Sequence, residues 1–411
     1  MFGLPSSMEK EKRDVKRDMK WGAPKHRTVR RIFFLAGGAL ALTGVGAGLA
    51  GIALWRRFGP AWPWTPSRRD RADWGPRSSH FAPGIARHRE EDVRGQVVLI
   101  TGSSRGLGLA MAEEFAHLGS KLVLCARKAD ELETARRLVA RSGAEVLAST
   151  CDVTVADQVQ RLVNHAIERF GRIDILINNA GVISVGPLQS QTITDFQEAM
   201  DVMFWGMLYP TLAVLPHMLA RHGGRIANIT SIGGKVSVPH LLPYGCAKFA
   251  AVGFSEGMRA ELAGSGVHVT TVVPGLMRTG SHLNAYFKGD HRREFSWFSL
   301  GATLPLVSLD ARRAAHKIVS AVRAGRAEII LSPQARLLAT LHGIAPGITT
   351  DLMGLVNRLL PTGAAADRHT GDESETLLSR SFLTRLGRKA ARDLNQGAGS
   401  GSAAGPSAIA G

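Results

Sequence analysis

Seven short apolar runs recur between residues 97 and 331, each separated from the next by a stretch long enough for a helix. They occupy 97–101, 121–126, 146–151, 173–177, 225–229, 267–273 and 328–331. Their apolar character is continuous rather than alternating, so both faces of each strand must be covered, as in a parallel sheet. Intervening segments such as 129–142, 155–170 and 192–221 show helical length and spacing. The pattern predicts an α/β fold with a doubly wound parallel sheet. A ligand then belongs beyond the carboxyl ends of the strands.

Chemistry-bearing residues collect at those ends. The first run enters a glycine-rich turn, Thr101-Gly102-Ser103-Ser104-Arg105-Gly106-Leu107-Gly108, followed by an apolar helical stretch. A strand, a tight turn and a helix start direct backbone N–H groups and the helix dipole at an anion. Tyr244 and Lys248 stand four residues apart, on one face of a helix. An ammonium beside a phenol favours the phenolate. Ser231, thirteen residues before Tyr244, arrives from a strand end with a hydroxyl for a carbonyl oxygen.

The spacing Thr-Gly-x-x-x-Gly-x-Gly, the Tyr-x-x-x-Lys pair and four further motifs occur in one order. These are Asp152 after the third run, Asn178-Asn179-Ala180-Gly181, Ser231, and Pro274-Gly275-x-x-x-Thr279. Together they resemble the classical short-chain dehydrogenase/reductases, over residues 94–333. The resemblance implies a Rossmann-type catalytic domain and hydride transfer between NADP(H) and a ketone or secondary alcohol. It implies Ser231, Tyr244 and Lys248 as catalytic residues. It further implies that the cofactor meets Thr101, Gly102, Ser104, Arg105, Gly106, Leu107, Gly108, Arg127, Asp152, Asn179, Ala180, Gly181, Tyr244, Lys248, Pro274, Gly275 and Thr279. No metal is implied. NAD-preferring relatives end the second strand with an acid; here Ala126, Arg127 and Lys128 follow one another, with Arg105 in the turn. Cations without a carboxylate suit a 2′-phosphate, which favours NADP over NAD. One departure is Met203, which falls where the family usually places an asparagine. Homo-oligomers through the long helices are also implied.

Residues 32–54 form a run of 23 without a formal charge, bracketed by Arg30-Arg31 and Arg56-Arg57. As a helix it would extend roughly 35 Å, enough for a bilayer core, and it reads as a single-pass anchor. The preceding twenty residues hold nine Lys/Arg and the following twenty hold five, which favours an internal N-terminus. The need for NADP(H) argues instead for a catalytic domain facing a cofactor-containing compartment such as the cytoplasm. Arg30-Arg31 also fits a twin-arginine export signal. Of the net charge of +17, the 19 basic and 9 acidic residues of 1–95 contribute +10, so the excess surrounds the apolar run. No nucleic-acid motif is present.

The organisation expected is a basic tail (1–31), the anchor (32–54), a Pro/Arg/Trp linker (55–93), the catalytic domain (94–333), a helical extension (334–394) and a disordered Gly/Ala/Ser tail (395–411). Tyr286, Phe287, Phe295, Trp297 and Phe298 fall where the family varies its substrate cover, and point either to a lipophilic substrate (steroid, retinoid or fatty-acyl type) or to helix packing. A soluble or acyl-carrier ketone is the alternative substrate, and an NADP-binding membrane scaffold the non-enzymatic reading. Residues 381–395 suit a short basic amphipathic helix. Cys125, Cys151 and Cys246 lack the spacing of a disulfide framework or zinc site.

Overall fold

The computed structural model describes residues 90–303, 308–376 and 385–396. The apolar run 32–54 and its basic flanks therefore lie outside the described residues. Seven strands form one parallel sheet: β1 (Val97–Thr101), β2 (Lys121–Ala126), β3 (Val146–Thr150), β4 (Ile175–Asn178), β5 (Gly224–Ile229), β6 (Val267–Val273) and β7 (Glu328–Ile330). Their order across the sheet is β7-β6-β5-β4-β1-β2-β3. Every pairing is parallel, and the order reverses beside β1. This is the doubly wound arrangement that the apolar runs require, with the ligand crevice at the reversal.

The connecting helices are α1 (Gly106–His117), α2 (Ala129–Ala140), α3 (Ala156–Phe170), α4 (Ile193–Met200), α5 (Gly206–Ala220), α6 (Leu242–Glu261), α7 (His291–Thr303) and α8 (Ala311–Arg323). Two apolar layers sandwich the sheet. One places Val98, Ile100 and Leu122 against Leu109, Phe115, Ile318 and Val322. The other places Leu99, Val123 and Leu176 against Val159, Leu162, Val214 and Met218. All five residues of β1 are buried, which explains its unbroken apolar sequence.

The expected long helix 192–221 is divided. Between α4 and α5 the backbone makes a π-turn over Asp201–Trp205. Among the described residues, the run Ile193–Ala220 is the one helix long and apolar enough to cross a membrane. Its Val214 and Met218 are core residues here. Such an interruption commonly marks a functional position, and Met203 lies inside it.

A chain of buried polar groups crosses the sheet beneath the carboxyl edge. Asn178 donates to Thr211 Oγ1 and Asn228 Oδ1, each at 2.9 Å. Asn228 donates to Ser255 Oγ at 3.0 Å, and Ser255 meets Thr271 Oγ1 at 2.7 Å. These bonds tie β4, β5 and β6 to α5 and α6. At the end of β5 the one-turn helix Ile232–Gly234 presses against α6. A Cβ on Gly234 would stand 2.5 Å from the Lys248 carbonyl oxygen. Gly234→Ala should therefore push this turn off α6 and cost about 1–3 kcal/mol, measured by urea unfolding; unchanged stability would show that the turn is not constrained.

Candidate active site

The loops after β1, β4, β5 and β6 bring the sequence-predicted residues to one edge. Ser231 follows β5, and Tyr244 and Lys248 occupy the first two turns of α6. Ser231 Oγ accepts from Gly233 N at 3.0 Å, and both it and the Tyr244 ring face Gly233. Lys248 is buried; its Nζ donates to Ile229 O at 2.8 Å and lies 5.8 Å from the Tyr244 ring centroid.

The electrostatics correct one expectation. Burial holds the Tyr244 phenol above its usual pKa, and the neighbouring Ser231 hydroxyl only partly offsets this. Burial also pushes the Lys248 ammonium down from 10.5 to about 8. The lysine is directed to a backbone carbonyl, and desolvation governs both groups. Tyr244 thus keeps its proton at neutral pH in this state, contrary to the phenolate that the Tyr-x-x-x-Lys spacing favours.

The glycine turn is closed by backbone packing. At Gly108 a Cβ would overlap the Gly102 carbonyl, so α1 can start this close to β1 only with glycine there. No side chain caps α1. Thr101 Oγ1 accepts from Asn179 N (2.9 Å) and Ala180 N (3.1 Å). Asn179 Nδ2 donates to the carbonyls of Thr101 and Gly102, both at 3.0 Å. Asn179 consequently braces the turn from beside it. Asp152 caps its own loop, accepting from Thr154 N at 3.0 Å and Oγ1 at 2.8 Å. Pro274 and Gly275 follow β6, and Thr279 is buried beyond them. The turn, a helix start without a side-chain cap and Thr279 fit a dinucleotide.

Three findings lay beyond the motifs. First, a carboxylate stands among the cations: Glu131 pairs with Arg105 at 3.3 Å and Lys128 at 3.2 Å. Arg105 also donates to Asn284 Oδ1 at 2.8 Å, whereas Arg127 is exposed. The expected cluster free of acids is thus limited to Arg127 at the β2 end. Second, Met203 is buried and packs with Ala199 and Ala247, beside Tyr244. Its sulfur lies 3.9 Å from the position of a Cβ on Gly181. An apolar thioether thus fills the position where the family usually places an amide.

Third, the chain's own C-terminal segment reaches the glycine turn. Helix α11 (Arg385–Asp393), within the expected amphipathic stretch, buries Ala391 and leads into buried Leu394. Leu394 O accepts from Gly106 N at 2.9 Å. Asn395 Nδ2 donates to Ser104 O (2.9 Å) and Glu131 O (3.1 Å), and Gln396 Oε1 accepts from Asn284 Nδ2 (2.6 Å). Asn395 and Gln396 are therefore placed, not disordered as expected for 395–411; the remainder of that stretch lies outside the described residues. Glycine content set the expectation for the tail, and no local signal marks Asn395-Gln396 as a docking pair.

The aromatic segment is self-packed. Phe287 makes edge contacts with Phe295 at 5.2 Å and Phe298 at 5.9 Å between centroids, and all three are buried. Fully buried Glu294 meets His240 Nδ1 at 2.8 Å and accepts from Trp297 Nε1 at 2.7 Å. Lys288 pairs with Asp195 at 2.5 Å in an equally buried setting. The cover is thus fastened to the loop before Tyr244, and its buried rings belong to packing. Cys125 and Cys151 are buried and Cys246 is exposed.

A profile described as short chain dehydrogenase matches residues 96–286. The chain is 34% identical over 270 residues to dehydrogenase/reductase SDR family protein 7-like from Anopheles gambiae, covering 64% of this chain and 82% of that protein. It is 36% identical over 202 residues to 11-beta-hydroxysteroid dehydrogenase 1A from Arabidopsis thaliana, covering 49% of this chain and 57% of the relative. Among solved structures, a short-chain dehydrogenase/reductase from Burkholderia phymatum in complex with NAD aligns with a TM-score of 0.57 at 26% identity, over 62% of this chain and 96% of that one. Actinorhodin polyketide ketoreductase with NADPH aligns with a TM-score of 0.53 at 28% identity, over 59% and 97%. The chain belongs to the short-chain dehydrogenase/reductase family. It is an NAD(P)-dependent oxidoreductase of carbonyl and alcohol groups.

Two outcomes follow from the geometry. An unfolded lysine holds its proton to about pH 10.4, so between pH 8 and 10.5 the unfolded chain binds more protons than the folded one. Stability should rise with pH across that window. Lys248→Met should stabilise the fold at pH 7 by on the order of 2–3 kcal/mol, with the gain shrinking toward pH 10.5. Equal urea midpoints at pH 7 would contradict the buried charge. Replacing Asn395 and Gln396 together by alanine should tighten NADPH binding about three- to tenfold in a fluorescence titration, because the segment engages the Gly106 amide; unchanged affinity would show that the contact does not compete.

Proposed function

We propose that the protein is a membrane-anchored, NADP-preferring reductase of a lipophilic ketone, with Ser231, Tyr244 and Lys248 as its catalytic residues. The observation that carries this reading is the convergence of Ser231 and Tyr244 around Gly233 at the end of β5, with Lys248 buried one helical turn from the tyrosine.

A bound nicotinamide supplies or accepts the hydride. Tyr244 holds its proton at neutral pH and gives it to the carbonyl oxygen; in oxidation its ionised phenolate takes the proton from the alcohol. Ser231 donates a hydrogen bond to that oxygen as charge develops there. Lys248 Nζ, now on Ile229 O, stands beside the phenol to hold the cofactor ribose and favour proton release. The glycine turn would hold the phosphates, with Asp152, Asn179, Ala180, Gly181, Pro274, Gly275 and Thr279 around the rest of the dinucleotide. Met203 presents no amide, so a proton path does not pass through its side chain.

NADP preference is supported by Arg127 at the β2 end and by Arg105, although Glu131 shares Arg105. The lipophilic substrate is supported by the likeness to a hydroxysteroid dehydrogenase and by the apolar run 32–54, the latter also supporting the anchor. A catalytic domain facing a cofactor-containing compartment such as the cytoplasm follows from its cofactor. A homo-oligomer is supported by Trp205, Leu212 and Phe249, which are 40–52% exposed on α6 and the α5 region.

Oxidation of NADPH and of NADH by the full-length protein, with lipophilic and polar ketones, tests the reading. Faster turnover with NADPH on a lipophilic ketone is expected, falling by at least about a hundredfold in Tyr244→Phe. Arg127→Ala should lower kcat/KM for NADPH about tenfold while sparing NADH. Met203→Leu should keep kcat within about threefold. Turnover that survives Tyr244→Phe would remove the proposed acid; NADPH binding without turnover would favour the scaffold.

A further inference from the structure

The helices after β7 are built differently from the rest of the domain. Helix α9 (Pro333–Ile344) and helix α10 (Pro346–Asn357) are joined by Ala345 alone. In this pair only Ala335 and Thr349 are buried. The two helices are tied to each other by His342 Nδ1 and Thr349 Oγ1, 2.6 Å apart. Meanwhile Leu337, Leu341, Ile344, Ile348, Leu352 and Leu355 are 47–78% exposed.

Twelve-residue helices are marginal in water and owe their stability to burial of an apolar face. Here the apolar side chains are the exposed ones. So many large aliphatic residues on one helix pair exceed the scattered apolar exposure of an ordinary surface. Residues 337–350 contain no Asp, Glu, Lys or Arg; exposed Arg336 lies in the first turn of α9, exposed Asp351 within α10, and exposed Arg358 just after it. An apolar surface bounded by guanidinium groups matches the boundary between acyl chains and phosphate headgroups.

We infer that α9 and α10 lie on a lipid bilayer, with the leucine and isoleucine side chains among the acyl chains and Arg336 and Arg358 on the headgroups. The inference rests on the anchor reading of residues 32–54, which puts a bilayer within reach. Thirty-five residues separate Leu54 from Glu90, the first described residue. Extended, they span up to roughly 115 Å, so the tether leaves the domain able to settle on the same surface. An apolar substrate dissolved in that leaflet would then meet the enzyme without crossing water.

The test uses the full-length chain carrying Ile348→Cys and Cys246→Ser, labelled with the polarity-sensitive dye NBD. Cys125 and Cys151 are buried and should escape labelling. The protein is reconstituted into phosphatidylcholine/phosphatidylserine vesicles, with Gln160→Cys in the same background as the surface control. Flotation reads membrane attachment, and brominated lipids read acyl contact at the dye. The expected result is flotation with a blue-shifted, several-fold brighter signal at position 348 that brominated lipid quenches, and a water-like, unquenched signal at 160. Flotation with a water-like signal at 348 would overturn the inference and leave the anchor reading intact. A blue-shifted signal that brominated lipid does not quench would overturn it in favour of a protein contact, such as a second copy of this chain. Absence of flotation would overturn both.

Discussion

The functional edge depends on how closely α6 is held against the end of β5. Asn228 of β5 bonds Ser255 of α6, Ser255 meets Thr271 of β6, and Asn178 links the set to Thr211 of α5. Buried polar groups that hydrogen-bond one another fix a geometry more narrowly than apolar contacts, because a displaced partner leaves a desolvated dipole; Asn178 Oδ1 alone in the set has no partner. Gly234 then lets the turn after Ser231 touch the Lys248 carbonyl. Ser231, Tyr244 and Lys248 derive their mutual placement from this clamp. The same packing desolvates them, raising the phenol and lowering the ammonium.

The sheet and the site's location were legible in the sequence because each rests on local pattern. Continuous apolar runs mark strands covered on both sides, and glycine spacing marks a turn closed to side chains. What stayed hidden depends on residues distant in the chain. Glu131 is an ordinary surface acid by sequence, yet folding brings it to Arg105 and qualifies the reading of a purely basic 2′-phosphate site. Phe287, Phe295 and Phe298 suggested a cover over a lipophilic substrate, with helix packing as the alternative; the mutual contacts of these three rings are those of packing. Asn395 and Gln396 carry no local sign that they reach the glycine turn.

Two structural features outside the motifs frame how such an enzyme is used. The aromatic segment is bolted through Glu294 and His240 to the loop entering α6, so it and Tyr244 share one connection. On the cofactor side, the contact from Leu394 to Gly106 engages an amide of the anion-binding turn. On the proposed reading, cofactor entry and the docking of this segment would compete for one site, with the ion pair of Arg105 and Glu131 beside it. Met203, packed beside Tyr244, keeps this corner apolar.

On the proposed mechanism, the Tyr244 phenol exchanges the proton in both directions of the reaction. The direct measurement is kcat/KM against pH for ketone reduction and for oxidation of the matching alcohol. Reduction needs the phenol protonated and should fall as pH rises; oxidation needs it ionised and should rise, with both limbs reporting the same free-enzyme pKa. Tyr244→Phe should be slow and lose both limbs. Limbs that bend in the same direction, or persist unchanged in Tyr244→Phe, would contradict the assignment of Tyr244 as the proton-transferring group.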